Sequence, residues 1–196
     1  MKQRNAAVSR KSAETDIRVT VQLEGSGISD IATGIAFFDH MLNLMTLHGL
    51  LDLSLHATGD IEVDLHHTVE DAGIVLGQAI NEALGDRKGI CRFGQATIPM
   101  DDALATVVVD LSKRPYLVYD PEIYPGHDLR FGEGLAKEFF RALTVTAGMN
   151  LHILRHHGQN EHHMIEAIFK ALGRALRQAV ERDERIKGVP SSKGML

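Results

Sequence analysis

The segment Leu65-His66-His67-Thr68-Val69-Glu70-Asp71-Ala72 returns 96 residues further along the chain as Glu161-His162-His163-Met164-Ile165-Glu166-Ala167-Ile168. Both copies read His-His-x-x-Glu. Apolar residues then follow each copy at three- and four-residue steps, a pattern typical of an amphipathic helix. Because self-similarity at a fixed spacing marks a duplicated unit, the two segments predict two halves with the same architecture.

The correspondence continues upstream of both segments. Residues 37–49 and 135–148 each predict an amphipathic helix that ends at glycine, and they place His40 and Glu138 at matching positions. Alternating and β-branched stretches around these helices predict strands. We therefore expect an α+β fold of two pseudo-symmetric halves, each a small mixed β-sheet packed on two helices.

The boundary between the halves is predicted near the glycine-rich turn that begins at Gly85. Residues 1–86 form the first half, and residues 87–196 form the second half with a C-terminal substrate-binding tail. Because a half of this size is small for an independent core, the two are expected to form one integrated catalytic unit. Gly85 and Gly188 are predicted to end the helices that follow the His-His pairs.

Composition excludes several classes of protein. The chain has 196 residues, 44% of them hydrophobic and 24% charged, as in ordinary globular domains. No apolar run approaches the roughly 18 residues of a membrane span, and the net charge of -5 disfavours a nucleic-acid surface. The single cysteine, Cys91, excludes an intramolecular disulfide and predicts a cytoplasmic protein.

The repeated His-His-x-x-Glu pattern carries metal-binding chemistry. Residues four apart share a helix face, so His66 lies beside Glu70 and His162 beside Glu166. The second histidine of each pair points about 100° away but is expected to remain within reach of the same glutamate. Two diverging nitrogens and one carboxylate suit two nearby ions better than one. Without thiolates, this donor set favours zinc, manganese, iron or nickel, and its glutamates favour Mn²⁺.

A polar surface turn is the alternative for any single copy of the pattern. Two copies at equivalent positions favour metal, because a buried His-His-Glu cluster without a ligand is costly. The His-Glu-x-x-His signature of metallopeptidases is absent from the chain. His156, His157 and His127 are predicted to lie in solvated loops instead.

Basic residues predict an anion site. Arg92, Arg114 and Lys193 could together hold a phosphate, and Ser191 and Ser192 add hydroxyl donors beside the lysine. Solvated arginines and a disordered tail are the alternative for these residues.

Six motifs, taken in order, resemble the imidazoleglycerol-phosphate dehydratase family of histidine biosynthesis. The resemblance runs from Glu14 to Gly194 and covers nearly the whole chain. The motifs are Phe38-Asp39-His40-Met41-Leu42, His48-Gly49, Asp64-Leu65-His66-His67-Thr68-Val69-Glu70-Asp71, Lys88-Gly89-Ile90-Cys91-Arg92-Phe93-Gly94, Leu111-Ser112-Lys113-Arg114-Pro115-Tyr116 and His162-His163-Met164-Ile165-Glu166-Ala167.

The resemblance implies an assembly of 24 subunits, with active sites between subunits that each hold two Mn²⁺ ions. The implied metal ligands are His40, His66, His67, Glu70, Glu138, His162, His163 and Glu166. Glu138 stands where many members have histidine, and a carboxylate can also bind manganese. The implied substrate-binding residues are Glu14, His40, His48, His66, His67, Glu70, Arg92, Arg114, Ser191, Ser192 and Lys193.

The implied reaction removes water from D-erythro-imidazole glycerol phosphate and gives imidazole acetol phosphate. Its difficulty is that the abstracted C–H is not next to a carbonyl, so two metals would hold the substrate ring as imidazolate and make it the electron sink. Glu14 and His48 are the candidate acid and base, with their roles interchangeable. A metal-dependent hydrolase and a metal-bridged assembly or storage protein are the alternatives, and a phosphate site at Arg92 and Arg114 disfavours storage.

Overall fold

A computed structural model describes residues 3–120, 130–194 and 196. The first half contains β1 (Asn5–Lys11), β2 (Thr15–Gln22), β3 (Ser29–Ala32), α1 (Ala36–Gly49), β4 (Asp52–Gly59) and α2 (His66–Leu84). The second half contains β5 (Phe93–Met100), β6 (Ala103–Asp110), β7 (Tyr116–Asp120), α3 (Glu133–Ala147), β8 (Asn150–His157) and α4 (Glu161–Val180).

Each half builds a four-stranded mixed sheet with the same strand order. The orders are β1-β2-β4-β3 and β5-β6-β8-β7. In both sheets the first three strands pair antiparallel, and the fourth pairs parallel to its neighbour. The predicted α+β class and the pseudo-symmetry of the two halves are confirmed.

The helices lie where the two halves meet. α2 covers β1 and β2, and α4 covers β5 and β6, because alternate residues of the strands face inward and are buried. Across the halves, α1 packs against α4, and α2 packs against α3. The helices α1 and α4 approach so closely that a Cβ on Gly173 would lie 2.3 Å from the Met45 carbonyl oxygen. One continuous hydrophobic core therefore joins the halves.

Two predictions about local structure are wrong. α4 ends at Val180 rather than near Gly188, because the chain beyond it pairs with residues 89–92: Cys91 N–H donates to the Glu181 carbonyl, and Gly89 N–H donates to that of Gly188. His156 and His157 end strand β8 rather than lying in a loop, although both are exposed. Gly85 does follow the end of α2, as predicted. His127 lies outside the described residues.

Candidate active site

The first cluster of metal-ligand residues joins α1 to the start of α4. Nε2 of His162 lies 3.3 Å from Oε2 of Glu166, and Nε2 of His40 lies 3.7 Å from the same oxygen. One ligand atom from each of the three residues lies within 4.8 Å of the others. Glu166 is buried, whereas the two imidazoles are partly open to solvent.

The second cluster joins the start of α2 to α3. His66, Glu70 and Glu138 also place one ligand atom each within 4.8 Å of one another, and Nε2 of His66 lies 3.5 Å from Glu70. Arg141 lies beside both carboxylates, 3.1 Å from Glu138 and 3.5 Å from Glu70. Oε2 of Glu138 is buried, and it is this oxygen that Nε of Arg141 approaches.

Each cluster combines residues of both halves. The i,i+4 geometry that places His66 beside Glu70 and His162 beside Glu166 agrees with the sequence-based prediction. The third member comes from the opposite half, because α1 packs against α4 and α2 against α3. Sequence analysis found these residues but gave no signal for the crossed pairing, which depends on tertiary packing.

The second histidine of each pair faces away from its cluster. Nδ1 of His67 lies 3.0 Å from Asp60, and Nδ1 of His163 lies 2.7 Å from Asp102. The expectation that both would reach the same glutamate as their neighbours is wrong for the described chain, since their contacts are with these aspartates. The hydrogen bond to Asp60 raises the pKa of His67.

Two cationic neighbours of the clusters were missed by sequence analysis. Lys170 contacts Glu166 with Nζ and Oε1 2.6 Å apart, and Arg141 contacts the second cluster. Burial opposes ionisation of Glu166, but the hydrogen bond from Lys170 and nearby charges outweigh it and lower the pKa of Glu166. The i,i+4 spacing from Glu166 to Lys170, and the i,i+3 spacing from Glu138 to Arg141, were signals that could have identified them.

The two acid/base candidates lie beside different groups. Glu14 lies in the turn between β1 and β2, with its carboxylate 3.9 Å from Nδ1 of His67. His48 lies in the last turn of α1. Burial lowers the pKa of His48, and the positive charges of Lys170 and Arg174 add to this effect. Both effects favour the neutral form of the His48 imidazole.

The predicted phosphate residues lie near one another at the beginning of β5. Arg92 donates to Asp110 and to the Pro190 carbonyl of the tail, and Arg114 lies 4.0 Å from the same aspartate with most of its side chain exposed. In the tail, Lys193 N–H donates to the Ser191 hydroxyl, and Ser192 lies between these two residues.

Arg92, one of the predicted phosphate residues, and the first cluster lie at opposite ends of α4. The Arg92 N–H donates to the Ala179 carbonyl near the C-terminus of the helix, whereas His162 lies in its first turn. At 1.5 Å per residue, the two ends are about 26 Å apart. Within one chain, Arg92 and the first cluster therefore cannot contact the same small molecule.

The donor set of both clusters fits a divalent transition metal. Imidazole and carboxylate donors without thiolate suit manganese, iron or zinc. In each cluster the three donor atoms already lie within 4.8 Å of one another, close enough for all three to bind one ion. No helix in the described part of the chain is long and apolar enough to cross a membrane.

The duplicated α+β fold with two mixed His/Glu clusters defines the class of protein, a candidate metalloenzyme built from two similar halves. The sequence profile of the imidazoleglycerol-phosphate dehydratase family matches residues 33–176. The imidazoleglycerol-phosphate dehydratase of Desulfosudis oleivorans is 56% identical over 193 residues, which cover 98% of this chain and 99% of that protein. That of Clostridium botulinum strain 657 is 57% identical over 196 residues, the full length of both.

Solved structures agree with this assignment. The Pyrococcus furiosus enzyme in complex with (S)-C348 superposes with a TM-score of 0.84 at 39% identity, covering 96% of this chain and 100% of that one. The Staphylococcus aureus enzyme has a TM-score of 0.82 at 40% identity, covering 91% and 99%. The chain belongs to the imidazoleglycerol-phosphate dehydratase family, whose members are hydro-lyases of histidine biosynthesis.

Proposed function

We propose that this enzyme dehydrates D-erythro-imidazole glycerol phosphate to imidazole acetol phosphate in the cytoplasm, using two Mn²⁺ ions per active site. The observation that carries the proposal is the pair of His/Glu clusters, each built across the two halves. The first cluster would hold one ion through His40, His162 and Glu166. The second would hold another through His66, Glu70 and Glu138.

When bound, the two ions would supply the Lewis acidity that holds the substrate imidazole as an imidazolate able to accept electron density. The chain's own residues would perform the proton transfers. Glu14 has an exposed carboxylate and is suited to exchange a proton at the substrate carbon or at the leaving hydroxyl. His48, whose pKa is lowered by burial and by the nearby charge of Lys170, is the second candidate.

Active sites would lie between subunits of a homo-oligomer, which we expect to contain 24 chains. The separation of about 26 Å between the two ends of α4 supports this arrangement, since Arg92 and His162 of one chain are too far apart for one substrate. A neighbouring chain would bring its phosphate residues Arg92, Arg114, Ser191, Ser192 and Lys193 to a metal cluster. His67 and His163, which face away from their own clusters, would serve as ligands for a neighbour's ions.

The test is an activity assay on metal-stripped protein, with imidazole glycerol phosphate supplied with and without Mn²⁺. We expect Mn²⁺ to restore turnover to the wild type and not to His66→Ala. His56→Ala is the matched control, because His56 is an exposed histidine that also contacts an aspartate, Asp30, but lies outside both clusters. Full metal occupancy without turnover would refute the proposal and leave the hydrolase and storage alternatives.

Chelation tests the oligomer separately. If His67 and His163 bridge subunits through metal, removing Mn²⁺ will lower the particle mass measured by light scattering, and adding it back will restore the mass. An unchanged mass after complete chelation would contradict the bridging role.

A further inference from the structure

The second histidine of each His-His pair has a carboxylate partner on Nδ1. Both oxygens of Asp60 lie close to Nδ1 of His67, at 3.0 and 3.1 Å. Oδ1 of Asp102 lies 2.7 Å from Nδ1 of His163. Nε2 of His163 has a looser neighbour, with Oδ2 of Asp101 3.6 Å away.

These contacts define which nitrogen is available. An ionised carboxylate can only accept a hydrogen bond, so Nδ1 must donate its proton and the lone pair of a neutral imidazole is on Nε2. The carboxylate of Asp102 is also held as an acceptor by the backbone N–H groups of Gln159 and Asn160. In both His67 and His163, Nε2 is therefore the nitrogen that can bind a metal ion.

The two aspartates occupy different positions in the repeat. Asp60 follows β4, whereas Asp102 lies in the turn between β5 and β6. The position in the first half that matches Asp102 is Glu14, in the turn between β1 and β2. A carboxylate thus contacts Nδ1 of the second histidine in both halves, but it comes from different positions of the repeat. The duplication alone therefore does not explain this contact.

We propose that Asp60 and Asp102 are positioning residues that fix the Nδ1–H tautomer and ring orientation of His67 and His163, so that Nε2 can bind a metal ion. The inference rests on the proposed function, in which these histidines complete a neighbour's metal site. Carboxylate partners of ligating histidines fix the ring and raise its basicity, and losing one costs about 10- to 100-fold in metal affinity or activity.

Asp60 gives the cleaner test because its two oxygens serve the same imidazole. Mn²⁺ affinity is measured on the intact oligomer from the EPR signal of free Mn²⁺, and light scattering is recorded alongside. We expect Asp60→Ala to weaken Mn²⁺ binding about 10- to 100-fold. Asp60→Asn should retain most of the affinity, since its amide oxygen still accepts the bond from Nδ1.

Asp30→Ala is the matched control, because it removes a carboxylate 2.9 Å from Nε2 of His56, which lies outside both clusters. Its Mn²⁺ affinity should equal that of the wild type. Asp102→Asn should rescue less than Asp60→Asn does, because one oxygen of Asp102 serves His163 and the other serves the backbone of Gln159 and Asn160.

Two results would overturn the positioning role. One is a wild-type Mn²⁺ affinity in Asp60→Ala. The other is a loss of Mn²⁺ affinity in Asp60→Asn as large as that in Asp60→Ala, which would show that the negative charge of Asp60 is what matters. If the wild type itself binds no Mn²⁺, the proposed function fails instead, so the two failures are distinguishable.

Discussion

The two hairpin turns of the molecule show how equivalent positions have taken different roles. Glu14, before β2, and Asp102, before β6, occupy matching places in the two halves. The N–H of Gln159, the imidazole of His163 and the N–H of Asn160 hold the pKa of Asp102 far below its usual range. The carboxylate of Glu14 is 56% exposed and accepts no hydrogen bond from the described residues.

The difference separates an anchoring carboxylate from one able to exchange a proton. A carboxylate that accepts three hydrogen bonds is held in its ionised form and is poorly suited to proton transfer. The backbone of Glu14 is fixed instead, because its N–H donates to Ser12 and its carbonyl accepts from Asp60. The first hairpin thus presents an exposed carboxylate on a turn held by backbone hydrogen bonds, and the second holds the start of α4 in place.

The largest expected effect comes from removing the acid at Glu14. Glu14→Gln should lower kcat by about 10²- to 10⁴-fold, the usual contribution of a general acid or base, while Mn²⁺ content stays at the wild-type level. Steady-state kinetics and metal analysis check both parts. Loss of metal in Glu14→Gln would instead place this residue with the anchoring carboxylates, and the contrast between the hairpins would fail.

The ends of α1 and α3 differ as well, and this contrast predicts the next largest effect. The fully buried Arg87 donates to the Ala147 and Gly148 carbonyls at the end of α3. Among the residues that the structure describes, only backbone N–H groups cap the end of α1. Burial also lowers the pKa of Arg87 to about 10.

Arg87→Met should lower the free energy of unfolding by about 3 kcal/mol, because two carbonyls lose their donors in a dry environment. Denaturant titration of the protein measures this effect. Arg185→Met is the control, since Arg185 is 89% exposed and pairs with Asp183 two residues away. Equal effects from the two variants would contradict a capping role for Arg87.

A third contrast lies in the clusters themselves. Where α1 has His40 and Asn43, α3 has Glu138 and Arg141, so the second cluster carries an extra carboxylate together with a compensating cation. Glu138→His alone should weaken Mn²⁺ binding about tenfold, because Arg141 would then repel the ion without its partner. Adding Arg141→Asn should recover most of the loss in a double-mutant cycle of Mn²⁺ affinities. Additive effects would show that the two positions are independent.

The smallest effect concerns the first residues of β4 and β8. Asp52 accepts from the N–H groups of Ser26 and Ile28, whereas the matching Asn150 donates to the Arg114 carbonyl. These bonds, that from Ser26 foremost, lower the pKa of Asp52. A lowered carboxyl pKa stabilises the fold above about pH 4 and loses this effect as pH falls through the folded value.

Asp52→Asn should therefore cost about 1 kcal/mol or less at neutral pH, since an exposed charge is screened, and nothing near pH 2. Asn150→Ala should cost the same at both pH values. Thermal unfolding at the two pH values measures the difference, and a pH-independent loss in Asp52→Asn would contradict the assignment.

Much of this architecture was predictable from the repeat. The spacing of His66 from Glu70 and of His162 from Glu166 identified two helices and the shared face of each, because helical periodicity is local. The crossed partners His40 and Glu138 were found by position, but their pairing depends on how helices of different halves pack. The aspartate partners of His67 and His163 were missed because both lie in loops outside the helical pattern: Asp60 comes seven residues before His67, and Asp102 comes 61 residues before His163. The end of α4 at Val180 was missed because strand-like pairing with residues 89–92 overrides its helical pattern.

The central claim is that the active site is completed by neighbouring chains. Co-expression of Arg92→Ala with His162→Ala, on distinguishable tags, tests it most directly. Each variant alone should be inactive. Purified mixed particles should regain up to about a quarter of wild-type activity, because random assembly of a symmetric oligomer leaves some sites with both intact residues from different chains. Full-size mixed particles without activity would show that both residues act within one chain, and would contradict the account.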